Sequence, residues 1–575
     1  MKKLIVLAME LLTAVVTLSV IACAPAEQAP AVANAADTIY TNGTIITVDP
    51  QESIAEAVAV KDGKILTVGS AEVVMATRGE NTQVVNLQGK TMTPGFIDAH
   101  GHLKNVGFQA LSANLLPPPD ADVDSLAVLQ EKLGQWGEGE LSAKLGWIIG
   151  FGYDDSQLAE KRHPNRDDLD AVSSEKPVFI IHQSGHLYVA NSELLEMAGI
   201  TAETDDPDGG VIQRRPGSRE PNGVLEETAL MPVLKVFPKI DGAGQRRMVR
   251  EGIDAYTSFG FTTATEGRAF PSDVDLYTAM AEAGELEIDV VAFPDYWLGR
   301  DTVAGSPWLS RSYQGHFRIG GIKGNLDGSP QGKTAWLSEP YFEPPAGRDA
   351  DYAGYAMLEE VQALAMFDDA YAQGWQVINH ANGDAAIDQL IRVARAATQK
   401  HGPADRRTVG IHSQTIREDQ LDAYQELGII PSLFGMHTFY WGDYHRDSVL
   451  GPERAARISP ARSALDRGMI FTQHHDAPVA LPSSIAILAT QVNRITRSGQ
   501  VLGPDQRVTP LEALKSITIY AAYQYFEEGS KGSIEAGKLA DLVILSDDPL
   551  SVSPEALWDL EVLETIKEGE TVYKK

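Results

Sequence analysis

The chain has 575 residues, with 48 basic against 79 acidic side chains and a formal net charge of −31. A surplus of that size argues against nucleic acid or an anionic lipid surface as the main partner. The length exceeds one ordinary domain yet fits an α/β barrel with insertions. The single cysteine, Cys23, excludes an intrachain disulfide and any metal site built on cysteines.

The first residues read as a targeting segment. MKKLIVLAMELLTAVVTLSVIACAPAEQAPAVANAAD opens with two lysines, runs apolar to Ala22, and then becomes an Ala/Pro/Gln-rich tract that cannot pack a core. Val20-Ile21-Ala22-Cys23 resembles the lipobox of bacterial lipoproteins. That resemblance implies a signal peptide over 1–22, lipidation at Cys23, a linker over 23–36, and an exported, membrane-anchored protein facing the periplasm or cell surface. Glu10 inside the apolar run departs from the pattern, and an ordinary signal peptide or signal anchor with an incidental cysteine is the competing reading.

Residues 37–93 carry TIYTNGTIITVD and AVAVKDGKILTVG, in which Asn42-Gly43 and Asp62-Gly63 are tight-turn pairs between β-rich runs. LADLVILSDDP and EVLETIKEGETVYKK close the chain over 530–575 in the same manner, with Glu568-Gly569 at the turn. The two ends are therefore expected to form one β-sandwich around a central domain at 94–529. There, apolar runs bounded by Gly and Pro alternate with helical stretches, the pattern of a parallel α/β fold. Candidate strands are GFIDAH (95–100), TTATEG (262–267), DVVAF (289–293), RIGGIKG (318–324), QVINHA (376–381), TVGIHS (408–413), IIPSLF (429–434) and MIFTQHHD (469–476). Eight such strands predict a (β/α)8 TIM barrel with its active site at their carboxyl ends. The stretch 103–260 is too long for one crossover and predicts an insertion, which contains the further apolar run PVFIIH (177–182).

Several of the 13 histidines fall at the ends of these strands. His100 and His102 flank Gly101 at the end of the first, and residues two apart on a strand share a face, so both imidazoles are able to bind one metal. His380 ends the fifth strand, His412 the sixth, and Asp476 the eighth. Each alone reads as a structural histidine or a capping aspartate. Together, four imidazoles and a carboxylate at the ends of four strands in a ring form a ligand set for two divalent ions. Lys323 lies among Ile319, Ile322 and Leu326, where a lysine must escape to solvent or be compensated.

TPGFIDAHGH, IKGNLDGSPQG, INHANGDAAID, GIHSQ, HDAPV and the closing GSIEAGKLADLVILS resemble the amidohydrolase superfamily, in particular its amidohydrolase family 3 branch with the N-substituted formamide deformylases. The resemblance covers about residues 37–575 in order. It implies two divalent metal ions, zinc first among them. His100 and His102 would bind the more buried ion and His380 and His412 the more exposed one, with Lys323 bridging both after N-carboxylation by carbon dioxide. Asp476 would contact the nucleophilic water as general base and then acid. His186 in HQSGHLYVANS and His437 are candidates to hold the oxyanion. Three positions depart from the family: His475, where relatives carry a small residue, Ile411 before His412, and Ser184 before Gly185-His186. His475, Tyr440 and Trp441 are expected to contact substrate, although the aromatic run beginning at Phe439 reads equally as core.

The implied activity is hydrolysis of a non-peptide C–N bond in a small molecule: an amide, formamide, carbamate or cyclic amide. The same site would also serve an ester or lactone, and a degenerate solute-binding lipoprotein is the non-enzyme alternative. Contact with a membrane is expected only through the lipid anchor, and a homo-oligomer stays open.

Overall fold

The computed structural model describes residues 34–345 and 347–575. The expected signal peptide and lipidation site at Cys23 lie outside them. Among the described residues no helix is long and apolar enough to cross a membrane.

Both chain ends enter one mixed sheet. Its order runs Glu570–Lys574, Val562–Lys567, Leu542–Leu545, Thr91–Pro94, Thr38–Ile46, Ile54–Lys61 and Lys64–Gly69, with Gln83–Asn86 added on Thr38–Ile46. The join is the antiparallel pairing of Leu542–Leu545 with Thr91–Pro94, residues about 450 positions apart. β-branched runs with turn glycines, as in TIYTNGTII, favour strands over helices here.

Every candidate strand of the central region is a strand, in parallel pairing and chain order. Phe96–Ile97, Phe261–Ala269, Asp289–Pro294 and Phe317–Ile319 form one sheet. Gly321–Asn325, Gln376–Ala381, Val409–His412, Ile430–Leu433 and Thr472–Gln473 form a second. The fourth candidate is split at Gly320, whose N–H still donates to Ala292 O at 2.9 Å, while a bridge between Asp295 and Lys323 links the two sheets. The first and last strands are shorter than expected, because the residues after them leave the ladder to enter the site. Those ends touch each other: Asp476 N–H donates to His100 O at 3.2 Å, and His102 N–H to Ala477 O at 2.8 Å.

Within 103–260, the helices Leu103–Leu111 and Gly242–Ser258 pack closely on each other, and a six-stranded sheet lies between them in sequence. Its order is Gly210–Arg214, Pro221–Glu227, Leu187–Ala190, Val178–His182, Ile148–Tyr153, Ala113–Asn114. The run predicted at 177–182 is its strand Val178–His182.

A buried ion network ties the C-terminal segment to the amino end of the third central strand. Asp289 Oδ2 lies 2.5 Å from Lys531 Nζ and 2.6 Å from Lys567 Nζ, and Lys567 also reaches Asp541 at 3.0 Å. Burial alone would raise the Asp289 carboxyl, but the two lysines outweigh it and hold it well below the usual range. Both lysines are raised, burial being overcome first by Asp289. Because the acid is depressed and the amines raised, this stabilisation is fully present between about pH 4 and pH 10 and fades outside that window. Asp289→Ala removes the carboxylate shared by two buried ammonium groups and leaves Lys531 with Glu527 and Lys567 with Asp541; it is expected to lower unfolding free energy by about 3–5 kcal/mol at pH 7. Denaturant titration measures it, and a loss below about 1 kcal/mol would contradict the network's role.

Candidate metal centre

His100 and His102 leave the first strand around Gly101. A Cβ on residue 101 would lie 2.3 Å from the Tyr256 hydroxyl and 2.7 Å from Asp98 Oδ2, so only glycine fits between the two imidazoles. Asp98 pins this turn by accepting from His100 N at 3.0 Å, Thr265 N at 3.1 Å and the Tyr256 hydroxyl at 3.1 Å. At the ends of the later strands, His412 and Asp476 have left-handed backbones, with φ of +69° and +53°. Such residues cost about 1–3 kcal/mol each and persist where the surroundings over-determine them.

Six predicted residues from five strands meet. Lys323 Nζ lies 3.0 Å from His100 Nε2. Asp476 Oδ1 is 3.4 Å from both His100 Nε2 and His102 Nε2, and Oδ2 is 3.9 Å from His412 Nε2. His412 Nε2 faces His380 Nδ1 at 3.1 Å. His380 Nε2 is 3.0 Å from Gly328 O, which can only accept, so the proton sits on Nε2 and Nδ1 offers its lone pair.

The sequence reading missed His474. Its Nε2 lies 3.0 Å from His412 Nδ1 and its own Nδ1 lies 2.9 Å from the Ser432 hydroxyl, a chain that orients His412. Period-two alternation in TQHHD was the signal, since it puts His474 on the same face as Asp476. His475, expected to contact substrate, turns the other way. It accepts from Ala477 N at 2.9 Å, stands 3.3 Å from Asp98 Oδ1, and packs edge to face on Tyr256 and Phe261. It holds the strand-eight loop against strand one instead of lining the site.

His186 arrives from the inserted sheet, with its ring 5.5 Å from that of His380 and Nδ1 bonded to Glu227. His437 flanks the other side, 6.4 Å from His412 between centroids, with Nδ1 buried and unpartnered. Trp441 packs on His437 at 5.6 Å and donates from Nε1 to Asp154 Oδ2 at 2.7 Å. Tyr440 lies one residue away in the core, with the Arg497 guanidinium over its ring at 4.9 Å. Both aromatics are buried, Trp441 against His437 and Phe434. A second histidine–aspartate group, Asp154, Asp155 and His182, is a hydrogen-bond network: Ser184 N–H donates to His182 Nδ1, so Nε2–H donates to Asp155 at 3.1 Å.

Burial, reinforced by the cationic neighbours, holds His100, His380 and His412 well below the usual imidazole range, which leaves them neutral and able to donate lone pairs. Burial also lowers the Lys323 amine to about 7. His102 differs: burial would lower it, but Asp476 and Glu266 outweigh that and raise it to about 8. In the same way Glu227 overcomes burial and raises His186. Asp476 Oδ1 is buried without a hydrogen-bond partner, and His100, His412 and Asp476 offer ligand atoms within 4.8 Å of one another. An orphaned carboxylate oxygen beside the neutral imidazoles of His100 and His412 fits a divalent ion.

Residues 83–573 match the model of the amidohydrolase family. An N-substituted formamide deformylase from Arthrobacter pascens is 28% identical over 552 residues, which is 94% of this chain and 98% of that one. The protein LONG AFTER FAR-RED 3 of Arabidopsis thaliana is 30% identical over 535 residues, 89% of this chain and 87% of its own length. A crystal structure of an uncharacterized metal-dependent hydrolase from Pyrococcus horikoshii OT3 superposes with a TM-score of 0.71 and 24% identity, over 93% of this chain and all of that one. At that identity the structural likeness speaks for the α/β fold alone.

If His474 orients His412, His474→Ala weakens binding of a divalent ion by about 10–100-fold. Competition with a chelator reads this directly, and an unchanged affinity would remove His474 from the site.

Proposed function

The chain belongs to the amidohydrolase family, and from that premise we propose that it hydrolyses a non-peptide C–N bond with water activated at a metal centre. The bond is that of an amide, formamide, carbamate or cyclic amide. The observation that carries this reading is Asp476 Oδ1, buried, without a hydrogen-bond partner, and 3.4 Å from both His100 Nε2 and His102 Nε2.

In this reading His100 and His102 would hold one divalent ion and His380 and His412 a second, zinc first by donor type. Lys323 would join them as a carbamate: the neutral amine would add carbon dioxide through its lone pair and release a proton. A costly buried cation thereby becomes a two-oxygen anionic ligand. Burial that disfavours the ammonium form supports that assignment.

Ions bound there supply Lewis acidity, which makes water nucleophilic near neutral pH and polarises the scissile carbonyl. Asp476 takes the proton of the attacking water and delivers it to the leaving nitrogen, first base and then acid. His186 and His437 stand on two sides of the cluster, where either supplies a hydrogen bond to the oxyanion. Glu266 Oε1, 3.8 Å from His102 Nδ1, and His474 steady the imidazoles.

The finer architecture belongs to the same reading. The parallel strands form one (β/α)8 TIM barrel, with strand one beside strand eight, and the mixed sheet of both chain ends forms a β-sandwich next to it. The protein is exported and anchored through a lipid on Cys23, facing the periplasm or the cell surface.

The test is a hydrolysis panel of formamides, N-acyl amino acids, carbamates and lactones with the metal-loaded protein, alongside metal analysis. Wild type turns over at least one C–N substrate, and Asp476→Asn lowers kcat by about 10²–10⁴-fold. A wild type without stoichiometric metal, or an Asp476→Asn variant with undiminished hydrolysis, would contradict the proposal. Turnover confined to lactones would move the reaction to a C–O bond.

A further inference from the structure

Glu227 ends the strand Pro221–Glu227 with φ of +50° and ψ of −117°, a backbone state rare for any residue with a side chain. It stands where the inserted sheet meets the loop after the fourth central strand. Its carboxylate accepts from His186 Nδ1 through both oxygens, at 3.0 and 2.9 Å, and from the Thr334 hydroxyl at 2.9 Å. The backbone repeats the link, because Glu227 N–H donates to His186 O at 3.0 Å. The Glu227 side chain is 5% exposed.

Gly328 makes room for this pairing. A Cβ there would lie 2.7 Å from Glu227 Oε1 and 2.1 Å from Thr334 Oγ1. The carbonyl of the same Gly328 receives His380 Nε2 at 3.0 Å. One short loop, 328–334, therefore seats both His380 and Glu227, and the His186 and His380 rings stand 5.5 Å apart between centroids. A carboxylate can only accept, so His186 Nδ1 carries a proton. No protein group among the described residues takes its Nε2, and the ring keeps 17% exposure.

Strain concentrates where a group must be held against its preference, and here the held group orients an imidazole beside a candidate metal ligand. We propose that Glu227 is a positioning residue, which fixes the direction of His186 so that His186 Nε2–H meets the developing oxyanion of the substrate. Held against the Glu227 carboxylate, the ring serves as an imidazolium, the form that donates on both sides, to Glu227 and to substrate. The assignment rests on the hydrolytic reading and selects His186 over His437 for that role.

In the metal-loaded full chain, Glu227→Gln is expected to lower kcat by about 10–100-fold, with KM changed less than about threefold and metal content unchanged. His186→Ala lowers kcat at least as much. The double variant is no slower than His186→Ala, because Glu227 acts only through that ring. Methylphosphonate, a tetrahedral oxyanion mimic, gives a readout apart from turnover: calorimetry should find it bound about tenfold more weakly by Glu227→Gln. Thr334→Val, which removes one hydroxyl, should shift both readouts a few-fold in the same direction and serves if Glu227→Gln does not fold. Unchanged kcat and methylphosphonate affinity in these variants, or losses that multiply in the double variant, would overturn the assignment. A wild type with no turnover across the panel, whose methylphosphonate binding still depends on Glu227, would instead sink the hydrolytic reading and leave the Glu227–His186 pairing standing.

Discussion

Desolvation of polar groups at the carboxyl ends of parallel strands is the constraint on which the rest depends. His100, Lys323, His380 and His412 are almost wholly buried, and Asp476 is 9% exposed. Away from water an imidazole stays neutral, an ammonium is disfavoured, and an unpaired carboxylate oxygen costs about 1–3 kcal/mol. Those three consequences describe a set of donors that lacks an acceptor of lone pairs. A ligand that binds only the folded state would stabilise it by mass action, so the cluster's cost to the chain alone is offset on binding.

The surrounding structure reads as the means of holding that cluster. Asp98 fixes the turn between the first two histidines, Ser432 and His474 direct His412, and the Gly328 carbonyl directs His380. Left-handed backbone at His412 and Asp476 adds strain that neighbouring packing must absorb. Far from the site, the Asp289 network secures the C-terminal strands against the central sheet, so that stability is gathered where no chemistry is required. The inserted sheet has a different part: it brings His186 to the cluster and anchors it through Glu227 to the same loop that seats His380.

Much of this was legible in the sequence. Apolar runs broken by Gly and Pro located every central strand, and strand-end histidines located residues that meet in the cluster, because both signals are local. What escaped depends on register or on distant pairing. His474 and His475 are adjacent and alike in composition, and only the pleat decides which faces the site. Glu227 lies 41 residues from His186 and meets it through the pairing of two inserted strands. The break at Gly320 arises because the chain passes from one neighbouring strand to the next.

The central claim is that this cluster holds two ions joined through Lys323. Anomalous diffraction from crystals of the metal-loaded protein tests it most directly. The account predicts two peaks, one against His100 and His102 and one against His380 and His412, with continuous density extending from Lys323 Nζ between them. A single peak, or two peaks with a bare Lys323 amine, would contradict it.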